Sequence, residues 1–309
     1  MENKEAKYID TVEIKGLFGR YDVDWTLNPD VNILVGENGT GKSTILKIIY
    51  QLFTREIELN NKLNSIIDSS TITVKENIKN SKNTFNGIVN YEKENRNVVK
   101  DGITQYGKFN PCEVNIKFIS TFDNLLKITD IDRKFNPNLN TELDFLLEES
   151  IINYKDYQLN LSKKIINLNQ KVNVVFKKRK LFIETVNRLF TPTDKKLDEN
   201  DNGILFISEG YKITTTQLSS GEKQLLVILL TVLCQDEKPS ILLMDEPELS
   251  LHFSWQYELV KIIRELNPNC QLIIATHSSS IFAKGWMDKF FFIEGENGEG
   301  IRHKIAQTV

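Results

Sequence analysis

The sequence predicts an α/β fold with a mostly parallel central sheet, an antiparallel β layer on its N-terminal side and a helical insertion. Three observations predict it. A glycine-rich loop at residues 36–44 sits between a short apolar run and an amphipathic run, the order strand, loop, helix. Residues 241–244 and 272–275 are continuous apolar runs that alternate with helical patterns, as strands buried on both faces of a parallel sheet do. Between these halves, Pro137 and Pro192 bracket a segment without internal Gly or Pro, whose apolar positions recur at steps of three and four.

Taken in order, residues 11–17 and 21–27 read as two strands around the turn Gly19-Arg20, and Pro29-Asp30 turns the chain into a third strand at 32–35. Phe18 or Tyr21 could stack on an adenine, although an aromatic in a strand is usually cross-strand packing. Residues 57–108 are polar and Asn-rich, with edge-strand patterns at 71–74, 86–91 and 97–99, and residues 114–122 form a clearer strand. The helical stripe runs Leu147, Ile151, Tyr154, Leu161, Ile165, Leu168, Val172, Val175, Phe182, Val186, Leu189, broken where Gln158 and Arg179 fall on it. A coiled-coil arm and a two-helix hairpin both fit. A single helix of about 50 residues would be about 75 Å long and would still have to return, so the compact hairpin is expected. Its basic cluster, Lys177 to Lys180, is either a solvated face or a nucleic-acid contact. Residues 203–208 and 211–214 pair around Glu209-Gly210, residues 225–234 form a buried helix, and 253–266 have helical spacing. Residues 290–293 and 301–304 are expected to close the chain as a hairpin. The expected divisions are 1–122, 123–200 for the helical insertion, and 201–309.

Composition excludes several classes. With 309 residues, 40% of them hydrophobic, the chain can bury a sizeable core in one large domain or two modest ones. The net charge of −3 supplies no global basic field toward nucleic acid or an anionic membrane, which leaves only a local basic face. Cys112, Cys234 and Cys270 lack metal spacing and read as reduced cytosolic thiols. The charged N-terminus is no signal peptide, and the longest apolar run, 225–234, is too short for a bilayer. The expectation is a cytoplasmic protein with no membrane partner.

The loop Gly36-Glu37-Asn38-Gly39-Thr40-Gly41-Lys42-Ser43-Thr44 fits G-x-x-x-x-G-K-S/T, the P-loop. Its glycines let successive N–H groups turn toward a polyphosphate, and the following helix adds its positive end. Lys42 can reach the β and γ phosphates of a nucleotide, and the Ser43 hydroxyl can bind Mg²⁺. The run 241–244 ends in Asp245-Glu246, at the strand end where ligands gather. Asp245 is placed to hold Mg²⁺ opposite Ser43, and Glu246 to polarise the attacking water. His277 leaves the next strand at the same edge and could sense the γ-phosphate. Ser219-Ser220-Gly221-Glu222 opens a helix, forming either a second anion site or an N-cap with a capping box. His252 reads as a loop or interface residue and His303 as a surface one, so no structural zinc site is expected.

Together these stretches resemble the ABC ATPase class of P-loop NTPases. Residues 36–44 resemble a Walker A motif, 218–224 an ABC signature, 241–246 a Walker B strand with its catalytic glutamate, 248–252 a D-loop, and His277 a switch histidine. Asp245-Glu246-Pro247-Glu248-Leu249-Ser250-Leu251-His252 and Ala275-Thr276-His277-Ser278 resemble the OLD-like and RecF/SMC-like heads, as does Leu218-Ser219-Ser220-Gly221-Glu222, where transporters usually carry Leu-Ser-Gly-Gly-Gln. Similar stand-alone ATPases serve Septu-type and retron-associated anti-phage systems. The resemblance implies Mg²⁺-dependent ATP hydrolysis and a head-to-tail homodimer, with ATP between one P-loop and the other copy's signature. It also implies control of a separate effector, a nuclease in phage defence. The alternatives are a RecF-like repair ATPase that binds DNA directly and a transporter subunit. Two departures stand out. Ser120 and Thr121 occupy the place of the Q-loop glutamine. The chain also ends about 30 residues after His277, too few for the Toprim domain of OLD nucleases.

Overall fold

In the computed structural model the described residues are 4–54, 66–78, 84–92, 115–120, 141–168, 176–199, 201 and 203–293. They fall into two units: residues 1–119, 239–247 and 269–309, and residues 120–238 and 248–268. The chain enters through β1 (Lys4–Leu17), β2 (Tyr21–Thr26) and β3 (Val31–Gly36), which delivers the glycine loop to α1 (Lys42–Thr54). β4 (Ser69–Ile78), β5 (Thr84–Glu92) and β6 (Ile116–Ser120) follow. Next come α2 (Glu142–Leu168), α3 (Lys177–Phe190), β7 (Lys196–Leu197), β8 (Phe206–Ser208), β9 (Tyr211–Ile213) and α4 (Ser220–Cys234). β10 (Ser240–Asp245), α5 (Phe253–Leu266), β11 (Cys270–Ala275) and β12 (Phe290–Ile293) complete the described chain.

The first unit holds two sheets. One is antiparallel, in the order β2-β1-β4-β5, and the other runs β12-β3-β11-β10-β6. In the second sheet β3, β10, β11 and β12 pair in parallel. Every residue of β10 and β11 is buried, which is why both read as unbroken apolar runs, whereas β2 alternates buried and exposed positions because only one of its faces meets the core. Ile14 and Trp25 from the antiparallel sheet, Ile45 and Ile49 from α1, and Leu243, Ile273 and Phe291 from the parallel sheet form one buried cluster. Trp25 stacks on Phe291 with ring centroids 5.2 Å apart. Each such side chain contributes about 1.5–3 kcal/mol on burial. The buried Gln271 amide joins the sheets: its Oε1 accepts from Ile9 N–H at 2.8 Å, and its Nε2 donates to the Ile9 and Asn28 carbonyls, both at 2.8 Å.

Two details of this unit differ from expectation. β1 begins at Lys4 and pairs with β4 along most of its length. β4 therefore lies between β1 and β5 and is no edge strand. The expected strand at 97–99, the partner strand at 301–304, Cys112 and His303 lie outside the described residues.

In the second unit the predicted stripe is a core. Leu147, Ile151, Tyr154, Leu161, Phe182, Val186 and Leu189 are all buried. Tyr154 and Phe182 bring α2 against α3 with centroids 5.9 Å apart, and the apolar helix α4 packs along α2. Lys223 pairs with Asp144 at 2.8 Å near the starts of α4 and α2, and Lys164 pairs with Asp236 near their ends, so the two helices run in the same direction. The break at Arg179 has a local reason, since its Nε donates to the Tyr154 hydroxyl at 3.1 Å. Val172 and Val175 fall outside the described residues. β7, β8 and β9 form a small antiparallel sheet whose tip, Glu209-Gly210, has φ of 49° and 81°, the pair of left-handed residues that a tight hairpin needs.

The basic cluster on α3 is partly committed within the chain. Lys178 donates to the Glu265 carbonyl at 2.6 Å and pairs with Glu237 at 2.9 Å, and Lys180 faces Glu184 at 3.7 Å.

Candidate functional site

Strand register brings the chemistry of the first unit to one edge. Asp245 pairs with Ala275, and Ala275 with Leu34, so β10 and β11 end level, two residues short of the end of β3 at Gly36. The glycine loop, Asp245-Glu246 and Thr276-His277 all leave the sheet there. In the loop, Thr40 Oγ1 donates to the Glu37 carbonyl at 2.9 Å, and buried Lys42 donates to the Gly36 and Glu37 carbonyls at 3.0 and 2.8 Å. The ammonium is thereby held inside the curl of the loop. Glu37, Asn38 and Gly39 are exposed, and Ser43 and Thr44 are half-buried at the start of α1. Gly41 has φ of 93°, and a Cβ there would stand 2.9 Å from the Phe18 ring and 3.1 Å from the Tyr21 hydroxyl. The Tyr21 hydroxyl donates to the Thr40 carbonyl. Phe18 and Tyr21 therefore brace the loop; Phe18 itself is exposed, with φ of 56°.

Ser43 Oγ donates to Asp245 Oδ1 at 2.8 Å. Asp245 is fully buried, and burial pushes its carboxyl above the usual range, with neighbouring Glu246 adding to the rise and the Ser43 bond opposing it. A hydroxyl and a carboxylate converging at the foot of a phosphate loop are the hard oxygen donors that suit a small divalent cation. Glu246 has φ of 49°, a left-handed backbone rare outside glycine, held by its N–H donating to the Ala275 carbonyl at 2.7 Å. That turn aims the side chain at His277, whose Nε2 lies 3.4 Å from Glu246 Oε1. Among the described residues no group of three or more His, Cys, Asp or Glu is gathered to hold a metal.

The second unit carries Ser219 to Glu222. Ser219 caps α4: its N–H and hydroxyl donate to Glu222 Oε2 at 2.8 and 3.0 Å, and its Oγ accepts from Glu222 N–H at 3.3 Å. The capping box is thus formed. Glu222 is buried, which works against its charge, yet Lys195 at 2.8 Å, Thr193 at 2.7 Å and Ser219 together hold the carboxyl below its usual range. Ser219 and Ser220 are exposed and Gly221 is buried, at the wall of a cleft of about 410 Å³ lined also by Ser250, His252 and Trp255. His252 caps α5 instead, with Nδ1 2.8 Å from Ser254 Oγ. Sequence reading missed Lys195, Thr193 and Trp255, which carry no motif; their roles arise from tertiary contacts.

Several known proteins are similar to this chain. A family model described as "AAA domain, putative AbiEii toxin, Type IV TA system" matches residues 115–283, and one described as "AAA ATPase domain" matches residues 8–85. The chain is 24% identical over 282 residues to the phosphate import ATP-binding protein PstB of Malacoplasma penetrans (strain HF-2), covering 90% of this chain and 72% of that protein. It is 28% identical over 172 residues to the retron Vc95 probable ATPase of Vibrio cholerae, covering 49% of this chain and 34% of that protein. Among solved structures, an Smc head bound to the C-winged helix domain of ScpA superposes with a TM-score of 0.57 at 16% identity, covering 94% of this chain and 95% of that one. At that identity the likeness is one of fold.

Proposed function

The chain belongs to the AAA-domain family whose model spans residues 115–283, and from that membership we propose that it is an ATPase switch that closes on a second copy of itself and controls a separate effector. The ATPase activity follows from the family and its ATP-binding relatives. The observation that carries the mechanism is the meeting of Lys42, Ser43, Asp245, Glu246 and His277 at one sheet edge.

In this reading Lys42 and the loop N–H groups compensate the charge on the β and γ phosphates, and the start of α1 adds its positive end. Ser43 and Asp245 would hold Mg²⁺, which would supply Lewis-acid stabilisation of the phosphoryl oxygens. Glu246 takes a proton from the attacking water, and His277, within reach of its carboxylate, orients that pair. Ser219 and the N-terminus of α4 meet the nucleotide bound to a second copy, which makes the active unit a head-to-tail homodimer. Glu246→Gln keeps every phosphate contact and loses the base, so turnover falls on the order of 10²-fold or more while ATP is retained. Turnover near the wild-type rate would sink the role given to Glu246.

The effector we propose is a nuclease of phage defence, supported by the partial likeness to the retron ATPase. Purified alone, the chain hydrolyses ATP and leaves DNA and RNA intact; cleavage by the chain itself, abolished in a catalytic-site variant, overturns this part. Direct DNA binding through the α3 lysines is less well supported, because Lys178 is held by Glu237 and the Glu265 carbonyl. No helix among the described residues is long and apolar enough to cross a membrane.

A further inference from the structure

We propose that Lys195 is a positioning residue of the signature: it offsets the charge of Glu222 and so leaves the Ser219 hydroxyl free to turn to the phosphates held by a second copy. This role rests on the head-to-tail homodimer. The turn after α3 builds the contact. Asp194 has a left-handed backbone, with φ of 51°, and the side chains on either side of it, Thr193 and Lys195, meet one carboxylate. Thr193 donates to Glu222 Oε1 at 2.7 Å, and the Lys195 ammonium lies 2.8 Å from Oε1 and 3.1 Å from Oε2. The Ser219 N–H and hydroxyl donate to Oε2 at 2.8 and 3.0 Å.

The consequence is electrostatic. The ion pair is shielded from water, with the Glu222 side chain 1% exposed and that of Lys195 16%. A carboxylate 3.0 Å from the hydroxyl that must meet a phosphate repels that phosphate unless its charge is balanced, and burial weakens screening of the repulsion. Lys195 supplies the balance. It also lets the Ser219 bond go. When the Ser219 O–H rotates to a phosphate oxygen, Thr193, Lys195 and the Ser219 N–H still satisfy the carboxylate, so no buried acceptor is left unpaired. Without Lys195 the uncompensated carboxylate grips the hydroxyl and faces the incoming anion.

Turnover of the full chain tests this. Lys195→Met lowers ATP hydrolysis about tenfold and leaves the affinity of the P-loop for a fluorescent ATP analogue unchanged. Lys195→Met/Glu222→Gln loses both charges and keeps a capping box, so it returns to within about threefold of wild type. Mixing shows which half of the site is affected. With Lys42→Ala, random exchange makes half the dimers mixed, each with one intact site, and Lys195→Met recovers to about a quarter of wild-type turnover. With Ser219→Arg no intact site forms, and turnover stays at about one-twentieth. Lys195→Met at the wild-type rate, a double variant no faster than Lys195→Met, or equal recovery with both partners overturns the proposal. Lys42→Ala mixed with Ser219→Arg is the control. Recovery there, with none when Lys195→Met meets Lys42→Ala, overturns the positioning role alone. Failure of both mixtures while subunits exchange overturns the two-copy site and this role with it.

Discussion

Gly221 pits two opposite effects against each other. Gly221 is the second residue of α4, and its own contribution to helix formation is poor: replacing a helical glycine by alanine ordinarily stabilises by about 0.5–1 kcal/mol. The structure predicts the reverse here. A Cβ on Gly221 would overlap the Ser250 carbonyl oxygen and lie 3.4 Å from its carbon and 4.0 Å from the Trp255 ring. The obstacle is backbone, which cannot rotate away as a side chain would, and such overpacking costs about 1–3 kcal/mol. The clash wins by roughly 1–2 kcal/mol, equivalent to a fall in melting temperature of about 1.5–3 °C for a chain of 309 residues. Scanning calorimetry of Gly221→Ala measures it directly, and hydrolysis falls with it because the displaced Ser250 segment lines the cleft beside Ser219. A melting temperature equal to or above that of the wild type refutes the reasoning. It follows that Gly221→Asp reports on folding as well as on the signature, whereas Ser219, which is exposed, tolerates a larger side chain at the loss of a cap of about 1 kcal/mol.

Glu222→Gln removes the charge that Lys195, Thr193 and Ser219 hold in place, and destabilises by about 1–3 kcal/mol near neutral pH. The carboxyl lies below its ordinary value of 4.5 in the folded chain, so its contribution is complete above about that pH and is lost as pH falls through the folded value; the gap in melting temperature from wild type closes on acidification. A gap independent of pH would assign the loss to packing. On α3, Lys178→Glu sets a carboxylate against Glu237 and the Glu265 carbonyl and lowers stability, whereas Lys177→Glu does not and Lys180→Glu, facing exposed Glu184, costs only about 0.2–0.5 kcal/mol. Filter binding of duplex DNA is unchanged by Lys177→Glu and Lys180→Glu together; a clear loss there would return nucleic-acid contact to this helix.

Much of the nucleotide edge was legible because its residues are constrained locally. β10 and β11 show as unbroken apolar runs since both faces are buried, and the acids and histidine at their ends stand out against them. The P-loop and the Ser219–Glu222 box are set by bonds spanning three to six residues. Contacts far apart in sequence were not legible. Nothing near Lys195 announces a buried partner 27 residues away. The sequence reading starts the first strand too late because Lys4-Glu5-Ala6-Lys7 shows no apolar alternation, although Ile9 just beyond is buried in the core. The helical stripe was recognised, but not its occupant: periodicity shows that a face is covered and does not say by what. In this chain α4 fills it. The exposed residues Phe145, Ile152, Leu159 and Ile166 of α2 escaped because four apolar residues at intervals of seven are sparse beside the denser inner pattern.

The central claim is that each active site is built from two copies, the P-loop of one and Ser219 of the other. Mixing Lys42→Ala with Ser219→Arg, each inactive alone, tests it most directly through ATP turnover. Random exchange makes half the dimers mixed, each with one intact site of two, so the mixture recovers about a quarter of wild-type turnover. Hydrolysis by Ser219→Arg alone at the wild-type rate, or a mixture that exchanges subunits and stays inactive, contradicts it.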